Sequence, residues 1–270
     1  MLLMAHLRYL MQKEINTADR KEVKFMKYII YKDYETMSRA AADYVIEKVK
    51  NKPDLVVCFP TGSTPIRMYE LLVEAYKAGK VDFSKANVLA VDGYTDMAPD
   101  HERNFSRFLH TNLYDHCNFD PSKIKLMKTD ASDLEAECKR YDKIISDLGG
   151  IDLLIDGLGE NGHAAYNEPA DFLQVGTHID DLAESTIKAN SRHFDDVNEV
   201  PTQGMTLGID SFVQAKSVLI LVNGPKKTTA VKTLVSDNTV TPRFPMSFIK
   251  LANDATVMVD EEAAGDTKAL

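Results

Sequence analysis

The sequence lacks most of the features that would place a protein in a class at a glance. Its three cysteines, Cys58, Cys117 and Cys138, are far apart, form no CxxC pair and have no histidine at zinc-ligand spacing, which argues against both a disulfide scaffold and a Cys/His zinc site. They read as buried or surface thiols, and their odd number fits a reducing compartment, hence an expected cytoplasmic location. No apolar run is long enough to span a bilayer. Residues 1–25 open with a short apolar patch interrupted by His6 and Arg8 and continue as a charged run. They lack the basic start, unbroken apolar region and small-residue cleavage site of a secretory signal. Positive charge is also scarce, with 32 Lys+Arg against 41 Asp+Glu and a formal net charge of −9, so neither nucleic acid nor an anionic membrane is expected as a partner. There is no internal repeat, no low-complexity tract and no Pro/Gly/Ser-rich linker.

What is present is an ordinary globular composition, 44% hydrophobic and 27% charged over 270 residues. From Tyr28 onward, short β-rich runs alternate with helix-period segments. The spacing predicts strands at Tyr28–Tyr31, Leu55–Phe59, Val88–Val91, Ile151–Ile155, Ser217–Val222 and Thr256–Val259. Helices are expected at Tyr34–Lys50, from Thr64 to Gly79 with Thr64 as N-cap, at Asn104–His116, at Asp133–Leu148, around Met205–Val213 and at Lys226–Leu234. This alternation specifies an α/β fold: a single domain with a mostly parallel, Rossmann-like sheet and helices on both faces. The division expected is an N-terminal extension, residues 1–25, and one domain, residues 26–270.

In such sheets ligands bind beyond the carboxyl ends of the strands. Four strand ends carry chemistry. Pro60-Thr61-Gly62-Ser63-Thr64-Pro65 combines a glycine, three hydroxyls and a helix start, which suits a phosphate but serves equally as a plain turn. No GxxxxGK accompanies it, so a triphosphate P-loop is not supported. Asp92-Gly93-Tyr94 places a carboxylate where a general base could stand or where a turn could be capped. Asp156-Gly157-Leu158-Gly159-Glu160-Asn161-Gly162-His163 contains a GxGxxG, but Asn167 and Pro169 interrupt the long helix that a dinucleotide fingerprint should open. Its distinctive feature is Asn161, His163 and Glu168 around one turn, since a histidine held by a carboxylate and an amide is a ready proton shuttle. Arg192 and Lys227 are cations that could reach an anion.

Taken together, PTGSTP with Tyr69 downstream, the Asp-x-Tyr at 92–94, GLGENGHAAYNEP, ANSR and MTLGIDSFVQAKSVLILVNGPKK resemble the glucosamine-6-phosphate deaminase (isomerase) family. That family shares a sugar-phosphate superfamily with the 6-phosphogluconolactonases. The resemblance covers about Met26 to about Glu262. It implies aldose-ketose isomerisation with loss of ammonia from an amino-sugar 6-phosphate by acid/base catalysis, without cofactor or metal. It implies that Thr61, Gly62, Ser63, Arg192 and Lys227 bind the phosphate, that His163, oriented by Glu168 and Asn161, opens the ring, and that Asp92 moves a proton between C2 and C1. Both monomers and homo-oligomers fit it.

Two departures stand out. The family's Asp-Glu-Tyr is Asp92-Gly93-Tyr94, which raises galactosamine 6-phosphate or another hexose phosphate as an alternative substrate. The stretch from Asp171 to Asp180 has the wrong charge for a second phosphate, so activation by an N-acetylated sugar phosphate is not expected. A lactonase is disfavoured by Tyr166-Asn167-Glu168-Pro169. A catalytically weak sugar-phosphate sensor is disfavoured because the region ahead of Met26 is too short and poorly patterned for a DNA-binding helix-turn-helix.

Overall fold

In the computed structural model, residues 26–269 are described apart from 96, 99, 100, 192, 193, 195 and 237. The expected 1–25 extension therefore lies outside the described residues. Seven strands form one parallel sheet: β1 (Lys27–Tyr31), β2 (Val56–Phe59), β3 (Asn87–Ala90), β5 (Ile124–Lys125), β6 (Leu153–Gly157), β9 (Val218–Val222) and β10 (Ala255–Asp260). Their order is β1-β10-β9-β6-β2-β3-β5, and every neighbouring pair is parallel.

Strand alternation divides the core into two layers. Val56 and Cys58 of β2 join Leu154, Val218, Ile220, Val257 and Val259 on one face. Val57 and Phe59 join Leu153, Ile155, Leu219, Leu221 and Met258 on the other. Successive side chains point to opposite faces, so runs that are apolar at every position need cover on both. The second face is covered by helices Tyr34–Asn51, Ile66–Lys77 and Phe105–Asn112, and the first by Leu134–Asp147, Ile209–Gln214 and Thr228–Val235. Helix starts follow local chemistry where a small polar residue is free to cap. Asp33 and Thr36 form a reciprocal capping box, and Asn104 and Asp133 accept from the backbone N–H of Ser106 and Ala136.

Three expectations are corrected. Thr64 does not cap the helix after β2: its hydroxyl donates to Asn223 Oδ1 at 2.7 Å, tying two strand-end loops together, and the helix begins at Ile66 without a side-chain cap. Asn104–His116 is an α-helix only as far as Asn112, with a 3-10 turn at Tyr114–His116. Met205 and Thr206 belong not to a helix but to a strand, because Gly208 is extended and the helix starts only at Ile209.

That strand belongs to a feature the sequence pattern did not suggest, a second, antiparallel sheet of β4 (Asp92–Tyr94), β8 (Gln203–Thr206) and β7 (His178–Asp181) in the order β4-β8-β7. The chain leaves the parallel sheet at Ala90, bends at Val91 and enters the small sheet at Asp92. At the exit, the Tyr141 hydroxyl accepts from the N–H of Ala90 at 2.9 Å and donates to its carbonyl at 3.0 Å. One buried phenol thus satisfies both backbone groups of the last β3 residue.

Candidate active site

The carboxyl ends of β2, β6 and β9, with the start of β4, enclose a cavity of about 580 Å³, an ordinary size for a small-molecule site. Its wall brings together Thr61, Gly62, Ser63, Asp92, His163 and Lys227 from the sequence reading. Asn161 and Glu168 do not line the cavity: Glu168 stands on the Nδ1 side of His163, and Asn161 bridges the His163 backbone N–H and the Glu168 carboxylate. Arg192 lies outside the described residues.

In the loop after β2, Gly62 adopts φ +93°, a conformation that disfavours any side chain. The loop is held by the Tyr34 hydroxyl, which lies within hydrogen-bond distance of the carbonyls of Ser63 and Thr64, and by the Tyr69 hydroxyl donating to the carbonyl of Pro60. Across the cavity, Lys227 lies in a 3-10 turn after β9 and donates to the carbonyl of Leu158 at 2.6 Å, which brings its ammonium to the cavity wall. Lys226 and Arg103 also line the cavity. Sequence reasoning did not single out either, because an isolated surface cation carries no signal of what it faces.

The turn after β6 builds the histidine site. Gly159 lets the imidazole lie against the backbone: a Cβ there would stand 2.3 Å from His163 Cδ2. The backbone N–H of His163 donates to Asn161 Oδ1 at 3.1 Å, and Asn161 Nδ2 donates to Glu168 Oε2 at 2.7 Å. The Thr186 hydroxyl lies 2.5 Å from Glu168 Oε1 and 3.2 Å from His163 Nδ1, while His163 Nδ1 is 3.5 Å from Glu168 Oε2. A hydroxyl has one proton, and the shorter contact takes it, so Thr186 donates to Glu168 and can accept from Nδ1–H. That tautomer leaves Nε2 as a lone-pair acceptor. Burial would raise the Glu168 carboxyl, but the bonds from His163, Thr186 and Asn161 outweigh it and hold Glu168 below the usual range. Thr186 was missed in the sequence because it lies 23 residues beyond His163 in a short polar helix, Glu184–Asn190.

Asp92 is the opposite case. It is 9% exposed, and its Oδ1 has no hydrogen-bond partner. Burial first, and the neighbouring Asp156 carboxylate second, push it well above the ordinary aspartate value. Along β4 the side chains alternate: Asp92 and Tyr94 line the cavity, whereas a Cβ on Gly93 would point 2.9 Å from Thr129 Cγ2. Position 93 therefore does not face the cavity, which removes the structural basis for reading substrate choice from it. Tyr94, Tyr166, Phe105 and Phe194 form an aromatic side wall, with Tyr94 and Phe105 ring centroids 4.7 Å apart. The GxGxxG opens no dinucleotide-binding helix: among the described residues no α-helix begins between β6 and Glu184.

Known proteins resemble this arrangement over nearly the whole domain. The sequence model of the family described as glucosamine-6-phosphate isomerases/6-phosphogluconolactonase matches residues 32–258. The glucosamine-6-phosphate deaminase of Clostridium perfringens (strain 13 / Type A) is 39% identical over 239 residues, 88% of this chain and 98% of its own. That of Lachnoclostridium phytofermentans is 43% identical over 233 residues, 86% of this chain and 98% of its own. Among solved structures, a monomeric glucosamine-6-phosphate deaminase superposes with TM-score 0.86 at 33% identity, covering 88% of this chain and 99% of its own. The 6-phosphogluconolactonase of Thermotoga maritima, at 21% identity and TM-score 0.67 over 87% of this chain and 99% of its own, shares the fold. With the family model spanning most of the chain and these relatives matched almost end to end, the chain belongs to the glucosamine-6-phosphate isomerase/6-phosphogluconolactonase family.

Proposed function

We propose that residues 26–270 form a catalytic domain that converts glucosamine 6-phosphate and water into fructose 6-phosphate and ammonia. The observation that carries this reading is the pairing, in one cavity, of an unpartnered buried carboxylate, Asp92, with a histidine relayed to a carboxylate through Thr186. Lys227 and the 61–63 loop bind the phosphate at the β2 and β9 ends, with Arg192 as a further cation for it. His163 Nε2 takes the proton of the C1 hydroxyl and returns it to the ring oxygen, opening the ring. Asp92 then removes the C2 proton and delivers it to C1 while the aldehyde oxygen gains a proton that the amino nitrogen gives up, so C1 becomes a hydroxymethyl group and the double bond moves to C2 and nitrogen. Water adds to that C=N carbon, and the C2–N bond breaks with nitrogen leaving as ammonia. No external oxidant or reductant enters this balance. Glu168 and Asn161 orient the imidazole, and positioned acid/base groups of this kind contribute about 10²–10⁴-fold each.

The deaminase names of the relatives matched end to end support the same reading. The deciding measurement is ammonia release from glucosamine 6-phosphate and galactosamine 6-phosphate, with a 6-phosphogluconolactone hydrolysis control. Turnover of glucosamine 6-phosphate ahead of galactosamine 6-phosphate is expected. Lactone hydrolysis without ammonia release would overturn the proposal.

A further inference from the structure

The proposed chemistry uses Asp92, His163 and Glu168, yet a further buried carboxylate lines the same cavity. Asp156 sits near the carboxyl end of β6 and is 7% exposed. Its Oδ1 accepts from the N–H of Gly157 and its Oδ2 from the N–H of Ala165, both at 2.8 Å. Ala165 has φ +48° and is the one non-glycine residue with positive φ among the described residues. Two backbone donors on opposite oxygens hold the carboxylate in one orientation at the cavity wall.

The titratable groups within electrostatic reach of this carboxylate come from several elements. Cys58 approaches from β2 and Tyr69 from the helix Ile66–Lys77, and both are thoroughly buried and pushed upward, burial being the larger cause. Lys227, and His163 whenever it carries a proton on both nitrogens, favour the ionised form. Burial outweighs them and the two N–H bonds, lifting Asp156 to about 6. On the Asp92 side stand Tyr69 and Tyr166, both neutral in the ordinary range, and Asp156 itself. Among these, Asp156 is the group that brings negative charge to Asp92 near neutral pH.

We propose that Asp156 is a positioning residue that acts through Asp92: anchored by two backbone N–H groups, its charge opposes ionisation of the unpartnered Asp92 carboxyl. Asp92 is thereby a stronger base once ionised, as removing a proton from carbon requires. The two carboxyls titrate in order, Asp156 first while Asp92 still holds its proton, then Asp92 against the charge already present.

This inference rests on the proposed role of Asp92 only for its effect on rate, so the test has two arms. In the first, carboxyl 13C signals of labelled aspartate are followed by NMR through a pH titration of the full chain. In the wild type, Asp92 should titrate after Asp156. In Asp156→Asn its midpoint should fall by about one pH unit or more. In Asp92→Asn the Asp156 midpoint should stay in place, because asparagine mimics the protonated neighbour. An Asp92 midpoint in the ordinary aspartate range in the wild type overturns the proposal whether or not Asp156→Asn folds, as does one that Asp156→Asn leaves unmoved. In the second arm, the acid limb of the kcat/KM profile for glucosamine 6-phosphate should move to lower pH in Asp156→Asn. A purely structural role would lower kcat/KM equally at every pH and leave the limb in place. A wild type that releases no ammonia refutes the proposed function, and the NMR arm still decides the role of Asp156.

Discussion

Two carboxylates in this site, Glu168 and Asp92, are almost equally hidden from solvent, at 7% and 9% exposure, yet lie on opposite sides of their ordinary pKa values. Glu168 is surrounded by donors, Asn161, Thr186 and the imidazole. Asp92 has an oxygen with no donor and a second carboxylate for company. Burial alone therefore does not decide what a carboxyl does; the hydrogen bonds that accompany it do. A group held ionised suits orientation of a cation or imidazole, and one that can hold or yield a proton suits transfer, which is how one cavity can accommodate the two proposed roles.

The strongest way to break this contrast is to remove the carboxyl proposed to transfer the proton. Asp92→Asn should lower kcat for ammonia release by about 10²–10⁴-fold with KM for glucosamine 6-phosphate little changed; full activity in that variant would sink the assignment. Disturbing the orienting side comes next. Glu168→Gln should cost about 10²-fold in kcat, because the amide can offer Thr186 a donor instead of an acceptor and the relay to Nδ1 loses its direction. Thr186→Val should cost about tenfold, the loss of one charge-assisted hydrogen bond, whereas Thr186→Ser should restore most of it.

Stability sharpens the comparison with smaller effects. The raised Asp92 binds its proton more tightly folded than unfolded, so it favours folding most at low pH and loses that advantage as pH rises through its folded value. Thermal melts should therefore show Asp92→Asn with a higher Tm than wild type at neutral pH, a difference that closes below about pH 4, where the unfolded aspartate is also protonated. Glu168 has the opposite sign: its contribution is present above the unfolded glutamate value and lost as pH falls through its folded one. Gly93→Ala should cost about 1 kcal/mol of stability through overpacking against Thr129 while leaving KM unchanged, and Thr129→Ser in the same chain should recover part of it.

The parallel sheet was legible because β2, β6 and β9 are covered on both faces and so read as apolar at almost every position. The small sheet was not. Its strands, Asp92–Tyr94, His178–Asp181 and Gln203–Thr206, mix charge, glycine and apolar residues, and they pair across stretches of chain that local pattern cannot connect. Strand-end motifs led directly to Asp92, His163, Glu168, Lys227 and the 61–63 loop, since the fold places strand ends together. Thr186 and Asp156 escaped for different reasons: Thr186 matters through a contact its own neighbours do not announce, and Asp156 was absorbed into a glycine pattern whose usual meaning does not apply here. Thr64 was misread because a small polar residue ahead of a helix resembles a cap even when its hydroxyl is engaged by Asn223.

The exchange of sheets after Ala90 has a further consequence. Asp92 rides on the small antiparallel sheet, while His163 hangs from the turn beyond β6 of the large one. The two groups assigned to successive proton transfers thus belong to separate hydrogen-bonded frames, and their spacing is set at the junction between the frames. The Tyr141 phenol secures that junction from outside the cavity. Tyr141→Phe, at a residue that does not itself line the cavity and with the ring kept, leaves the last backbone groups of β3 without their shared partner. The expected outcome is a fall in turnover with both proposed reacting side chains intact, which would make the alignment of two sheets, and not only the identity of the residues they carry, a property on which the proposed chemistry depends.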